Sequence, residues 1–199
     1  MSRELTSFSF ECQPLSAAHA QILPELFERA ASGCYCEWWH FEGDKNAWLD
    51  RLAHHPEANR RALVERAEAP ELSGVVAVSE SGDAVGWMKL TPASEVPKLY
   101  GQRPYRGLPC FQRDRERTVT IGCFLVDPAW RKRGVAKALL RAGIELARAA
   151  GAVTIEAFPR RADGLRDEEV WTGPHGLYVK HGFEIVHDLA QYPVLRRML

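Results

Sequence analysis

The chain has 199 residues, 46% of them hydrophobic, and its 26 Lys and Arg balance 26 Asp and Glu to a formal net charge of zero. That length supports one good core and reads as a single domain over 1–199. A neutral chain has no global field for nucleic acid or an anionic membrane, so neither is an expected partner and any anion site must be local. No apolar stretch approaches the roughly 18 residues of a membrane helix. The opening M-S-R-E-L-T-S-F-S-F-E has no apolar block of the kind an export signal carries. Five cysteines, an odd count at irregular spacing, predict a reduced, cytoplasmic protein.

In chain order, Ile22, Leu23, Leu26, Phe27 and Ala30 recur at helical spacing over Gln21–Ala30, with Pro24 in the first turn or at a kink and Gly33 as a stop. The densest aromatic segment follows, C-Y-C-E-W-W-H-F-E-G from Cys34 to Gly43. Asp44 reads as the cap of a helix through Leu52, and Pro56 opens a second helix to Ala67. Gly74–Ser79 and Ala84–Leu90 are apolar strands joined by a hairpin turn at Glu80–Asp83. The span Thr91–Arg117 holds four prolines and two glycines. It is long for a connection, so it is expected to be a mobile binding loop bordering the site, with Tyr100 and Tyr105 serving it better than a core.

Val119–Val126 is a strand that stops at Asp127-Pro128, and an amphipathic helix follows Gly134. That helix buries Val135, Leu139, Leu140, Gly143, Ile144, Leu146 and Ala147. Ala152–Phe158 is a buried-type strand, Pro159–Val170 a charged loop, and Pro174–His181 a short helix stopped by Gly182. Phe183–Val186 and Pro193–Met198 close the chain as strands. The order predicts an α/β fold, a central mixed sheet with helices on both faces.

The physical oddity is Arg131-Lys132-Arg133 at the start of the central helix. A helix N-terminus already carries about +0.5 of an elementary charge and unpaired N–H groups. Three more cations there call for an anion such as a pyrophosphate, with Gly134 permitting its close approach. The alternative is a solvated charge run.

Arg131, Gly134 and Ala136 fit Q/R-x-x-G-x-G/A, and Leu177-Tyr178-Val179-Lys180-His181-Gly182-Phe183 fits L-Y-x-x-x-G-F. In this order and separation the two motifs resemble those of the GNAT acetyltransferase superfamily, over roughly Gly74 to Leu199. The resemblance implies transfer of an acetyl group from acetyl-CoA to an amine of a small molecule or peptide, by direct attack in a ternary complex. It implies that the backbone N–H groups of Lys132, Arg133, Gly134, Val135, Ala136 and Lys137, with nearby cationic side chains, hold the pyrophosphate. The pantetheine arm would pair with the backbone of Phe124, Leu125 and Val126, the Phe124 N–H would face the oxyanion, and Tyr178 would serve the leaving thiolate. Such domains often pair, so the terminal strands are expected to offer a homodimer contact. A non-catalytic acyl-CoA sensor is the rival reading, since it needs the anion site but not Tyr178.

The motif strand lacks the carboxylate many relatives carry before Asp127. Glu156 on the next strand is the candidate base, with Glu37, His40, His175 or a water chain as alternatives. Glu37, Trp38, Trp39 and Trp171 are candidates for a cationic acceptor pocket, or the rings seal the core. Cys34-x-Cys36 with His40 carries three of the four ligands a structural zinc needs, and no cysteine at a recognised spacing supplies the fourth, so no metal is expected. Cys123 reads as a covalent acyl carrier or, more simply, a small core residue.

Overall fold

The computed structural model describes residues 9–68, 74–112 and 115–199. The start of the chain, examined for an export signal, and residues 113 and 114 of the long loop lie outside the described residues.

Strands β1 (Phe10–Pro14), β2 (Gly74–Ser79), β3 (Ala84–Pro92), β4 (Thr118–Val126), β5 (Thr154–Ala157), β6 (Glu184–His187) and β7 (Val194–Met198) form one sheet in the order β1-β2-β3-β4-β5-β7-β6. Only β4 and β5 pair in parallel, so the sheet is mixed as expected. The first strand escapes a sequence reading. It has five residues, three half-buried and two exposed, ending in proline, and its pairing with β2 is long-range.

Helices α1 (Ile22–Arg29), α2 (Lys45–His54), α3 (Pro56–Glu68), α4 (Pro97–Tyr100), α5 (Val135–Ala149) and α6 (His175–Lys180) flank the sheet. Asp44 caps α2 by accepting from the Ala47 N–H at 2.9 Å. The apolar stripe of α5 buries Val135, Leu139, Leu140, Ile144 and Ala147 against Val75, Met88, Ile121 and Ile155. Each such side chain contributes about 1.5–3 kcal/mol by leaving water. Gly143 allows α5 to lie close on β3, since a Cβ there would overlap Met88 Cε. On the opposite face α1 and α3 bury Leu23, Leu26, Phe27 and Leu63 against Val76 and Trp87.

A third cluster joins Trp39, Val96, Leu99, Tyr100, Tyr105, Phe158 and Val194. It corrects one part of the expectation for Thr91–Arg117, the placing of its tyrosines outside a core. Tyr100 and Tyr105 are core residues, packed edge-on to Phe158 at 5.5 and 5.0 Å. Pro97 opens α4 and Pro109 opens a 3₁₀ turn, positions where a missing N–H costs nothing.

The feature that positions the site is a bulge in β4. Lys89 pairs with Cys123 and Leu90 with Ile121, which leaves Gly122 unopposed. The bulge flips the alternation, so Ile121 and Phe124 both join the α5 side while Cys123 and Leu125 join the other. The β4–β5 pairing ends at Ile121 and Ala157, and the rest of β4 runs on without β5.

Candidate active site

A cavity of about 400 Å³ opens beside the free length of β4. Phe124, Leu125 and Val126 line one wall; Arg131, Lys132, Gly134, Val135, Ala136 and Lys137 line the end formed by the start of α5. Asp127 fixes the turn between them. Its carboxylate accepts from the Ala129 N–H at 2.9 Å and from Arg29 Nε at 2.7 Å, and Arg29 also donates to the Ala84 carbonyl. Gly134 has φ +86°, a left-handed conformation that favours glycine, and no atom lies within 4 Å of where its Cβ would be. The first N–H groups of α5 therefore face an open, cation-rimmed space with no intrahelical partner. Arg131 is held by Asp167 at 2.9 Å. Arg133 is turned away: its Nε donates to the Ala129 carbonyl at 3.1 Å and it does not line the cavity. Lys132 and Lys137 are the exposed cations at this end.

A strap, residues 167–173, crosses the gap where β4 has left β5. Two successive carbonyls of the strap take the Phe124 N–H and the Tyr178 hydroxyl. The Phe124 N–H donates to the Trp171 carbonyl at 2.6 Å. The Tyr178 hydroxyl donates to the Thr172 carbonyl, also at 2.6 Å. Gly173, at φ +91°, lets the strap turn directly against Tyr178, for a Cβ there would overlap the phenol oxygen. Tyr178 is fully buried behind the strap. Burial first, and the nearby Cys123 second, hold its hydroxyl pKa well above the ordinary tyrosine value.

A second cavity, about 460 Å³, lies on the other side of the strap. Trp39, Tyr105, Phe158, Trp171 and Tyr192 give it aromatic walls, and Glu168 and Trp171 line both cavities. Trp39 stacks on Trp171 with centroids 5.6 Å apart and donates from Nε1 to the carbonyl of the bulged Gly122 at 3.0 Å. The bulge thus anchors the aromatic wall of this cavity as well as freeing the end of β4 that lines the first. Sequence reasoning found Trp39 and Trp171 and, through the loop expected to border the site, Tyr105, but missed Glu168, Phe158 and Tyr192. The signal for Glu168 was an acidic run, Asp167-Glu168-Glu169, just before a tryptophan.

Other candidates are placed elsewhere. Glu156 accepts from the Tyr100 hydroxyl at 2.6 Å and from Arg196, and it lines a small separate cavity. Its register partner on β4 is Thr120, four residues before Phe124 and so roughly 13 Å back along the strand. Glu37 is buried in ion pairs with Arg66 at 3.1 Å and Lys89 at 3.7 Å. Burial opposes its ionisation, but Lys89 and Arg66 outweigh this and hold the carboxyl below its usual range. Trp38 packs on Trp48 and under the Lys98 ammonium, 3.6 Å from its ring centroid. Glu37 and Trp38 therefore fix the aromatic segment in place and face neither cavity.

His40 is lowered to about 3 by burial and then by the positive charges of Lys89 and Arg66. His175 is lowered too, by burial first and then Arg161. Neither lines the two cavities. Cys36 and Cys123 are buried. Burial, then contact with the Cys123 thiol, pushes Cys36 up, so it behaves as a packed thiol. Among the described residues no three His, Cys, Asp or Glu are grouped to hold a metal ion, and no helix is long and apolar enough to cross a membrane.

Comparison with solved structures agrees with this geometry. The PaiA N-acetyltransferase from Thermoplasma acidophilum, in complex with coenzyme A, is similar at TM-score 0.56 and 11% identity, over 96% of this chain and 99% of that one. The GNAT domain of S. lividans PAT is similar at TM-score 0.58 and 16% identity, over 94% and 89%. A GCN5-related N-acetyltransferase from Kribbella flavida is similar at TM-score 0.54 and 17% identity, over 96% and 98%. At these identities the likeness is one of fold. No curated protein matches the chain. Residues 34–183 match the acetyltransferase (GNAT) family, whose acyl donor is acetyl-CoA, and that match, spanning α2 to α6 and most of the lining of both cavities, places the chain in this family.

Proposed function

We propose that the enzyme moves the acetyl group of acetyl-CoA to a primary amine by direct attack in a ternary complex. The observation that carries this reading is the pair of cavities on either side of one strap, a cation-rimmed one at the start of α5 and an aromatic one beyond Trp171. In this account the pyrophosphate sits on the α5 N–H groups with Lys132 and Lys137, and the pantetheine arm lies along Phe124–Val126. For the thioester to reach the gap, the strap must withdraw. Its withdrawal frees the Phe124 N–H for the oxyanion and the Tyr178 hydroxyl for the sulfur in one movement.

The proton balance follows. The acceptor ammonium loses one proton before attack. Its nitrogen bonds to the thioester carbon, the carbon–sulfur bond breaks, and the second nitrogen proton ends on the thiolate. A thiol has an ordinary pKa of about 8.5. Tyrosine, with an ordinary pKa of about 10, is a weaker acid than that thiol, so Tyr178 supplies a hydrogen bond to the developing charge and keeps its own proton. With β4 carrying no carboxylate in the gap and Glu156 engaged by Arg196, the first proton leaves to Glu168 or to water. The five free cysteines suit a reducing compartment, which supports a cytoplasmic setting.

The donor site is tested by calorimetric titration of acetyl-CoA into the parent and into Gly134→Glu. The variant places bulk and a negative charge where the pyrophosphate belongs, and binding should be lost. Equal affinity in both proteins would remove the donor assignment.

A further inference from the structure

We propose that the cavity walled by Trp39, Tyr105, Phe158 and Trp171 takes a small primary amine carried on a flat aromatic body, with its ammonium group directed to Glu168. This rests on the reading of the site as an amine acetyltransferase and narrows it to a substrate class.

Shape is the first argument. The walls are aromatic, and those outside the strap are braced by their own contacts. Trp39 is pinned to the Gly122 carbonyl at 3.0 Å and stacked on Trp171 at 5.6 Å, and Tyr105 is braced on Phe158 at 5.0 Å. A planar guest slides between ordered rings without the cost of ordering them. The volume, about 460 Å³, lies in the range of small-molecule sites. A single lysine side chain from a protein acceptor would leave much of it unfilled.

Charge is the second. Arg160 at the cavity edge is neutralised by Glu169 at 2.5 Å. Glu168 is exposed and, among the described residues, has no ion-pair partner. The lining thus keeps one uncompensated negative charge beside several ring faces, which favours a cation and repels an anionic acceptor. Position is the third argument. Glu168 lines both cavities, so an ammonium held there lies next to the gap where the thioester arrives.

The test compares kcat/KM for acetyl transfer to 2-phenylethylamine, n-propylamine and a lysine-containing tripeptide, in the parent, Glu168→Gln and Tyr105→Leu. The expected result is a preference for 2-phenylethylamine of about 10- to 100-fold, the value of burying one ring. Tyr105→Leu should shrink that preference. Glu168→Gln, at an exposed position, should raise the KM for 2-phenylethylamine about tenfold while leaving inhibition by its neutral isostere, 2-phenylethanol, unchanged. Transfer to amines without aromatic preference, or an unchanged KM in Glu168→Gln, overturns this inference and leaves amine acetylation standing. Binding of acetyl-CoA with transfer to no amine at all overturns both.

Discussion

The Phe124 N–H donates to the Trp171 carbonyl at 2.6 Å, across the gap that opens where β4 leaves β5. This bond closes the place where a thioester would lie. The Thr172 carbonyl does the same to Tyr178 one residue later. On the proposed placement acetyl-CoA competes with the enzyme's own backbone, and binding should loosen the strap. Hydrogen exchange is expected to quicken in peptides covering 167–173 when acetyl-CoA is added, while the start of α5 becomes more protected. A strap that exchanges equally slowly with and without the cofactor would show that the closed arrangement is compatible with binding.

Gly173→Ala gives a second view of the same strap. At φ +91° with the Tyr178 oxygen in the way, a methyl group cannot be accommodated in the closed form. The variant should cost about 1–3 kcal/mol of stability and bind acetyl-CoA more tightly than the parent, because the competing closed state is raised in energy. Weaker binding would place Gly173 in support of the open form instead.

Tyr178→Phe keeps the ring and removes only the hydroxyl. Turnover should fall by about 10²- to 10³-fold, the scale of a lost donor to a developing charge, with little change in acetyl-CoA affinity. The loss should shrink for an acyl donor whose leaving thiol has a lower pKa, since that thiolate needs less help. Stability should fall by about 1 kcal/mol for the lost bond to Thr172. Near-normal turnover would make Tyr178 a packing residue.

Glu156 provides the converse case. It is buried and paired with Arg196 and Tyr100 on the far side of β5's pairing with β4. Glu156→Gln leaves the Arg196 charge without its partner and should cost about 3 kcal/mol, visible as a lower melting temperature. The folded fraction should still turn over at close to the parental rate. Full stability with lost turnover would restore Glu156 as the base.

These contrasts mark what a sequence can carry. The stripe of α5, the Asp44 cap and the cation cluster before Gly134 are local patterns, and each is found where its spacing predicts. The bulge at Gly122 depends on β3 supplying one residue too few opposite it, and no local pattern reports that. Glu156 looked available because Arg196, its partner, is forty residues away in the chain. Trp38 and Trp39 are adjacent and alike in sequence. Only the fold separates the one that braces Lys98 from the one that walls the acceptor cavity. Similarly, nothing in Asp167–Thr172 reveals that its carbonyls reach β4 and α6.

The pH dependence of stability has a specific source. His40 titrates at about 3 in the folded protein, lowered by burial, Lys89 and Arg66, against about 6.5 when unfolded. Between these values the unfolded chain binds the extra proton, so stability falls as pH drops below about 6.5. His19 and His175, both lowered by burial, act in the same direction. Glu37, held low by its cations, adds its loss only below about 4.3. Melting temperatures at pH 7 and 5.5 should show a decline that is smaller in His40→Gln. An identical decline in the variant would assign the acid sensitivity to other groups.

The most direct test of the whole account follows free thiol release from acetyl-CoA with and without an amine, while mass spectrometry watches the protein. Direct attack predicts thiol release only when an amine is present, one acetylated amine per thiol, and a protein of unchanged mass throughout. Thiol release without amine, leaving an acetyl group on the protein at Cys123 or elsewhere, would contradict the ternary complex.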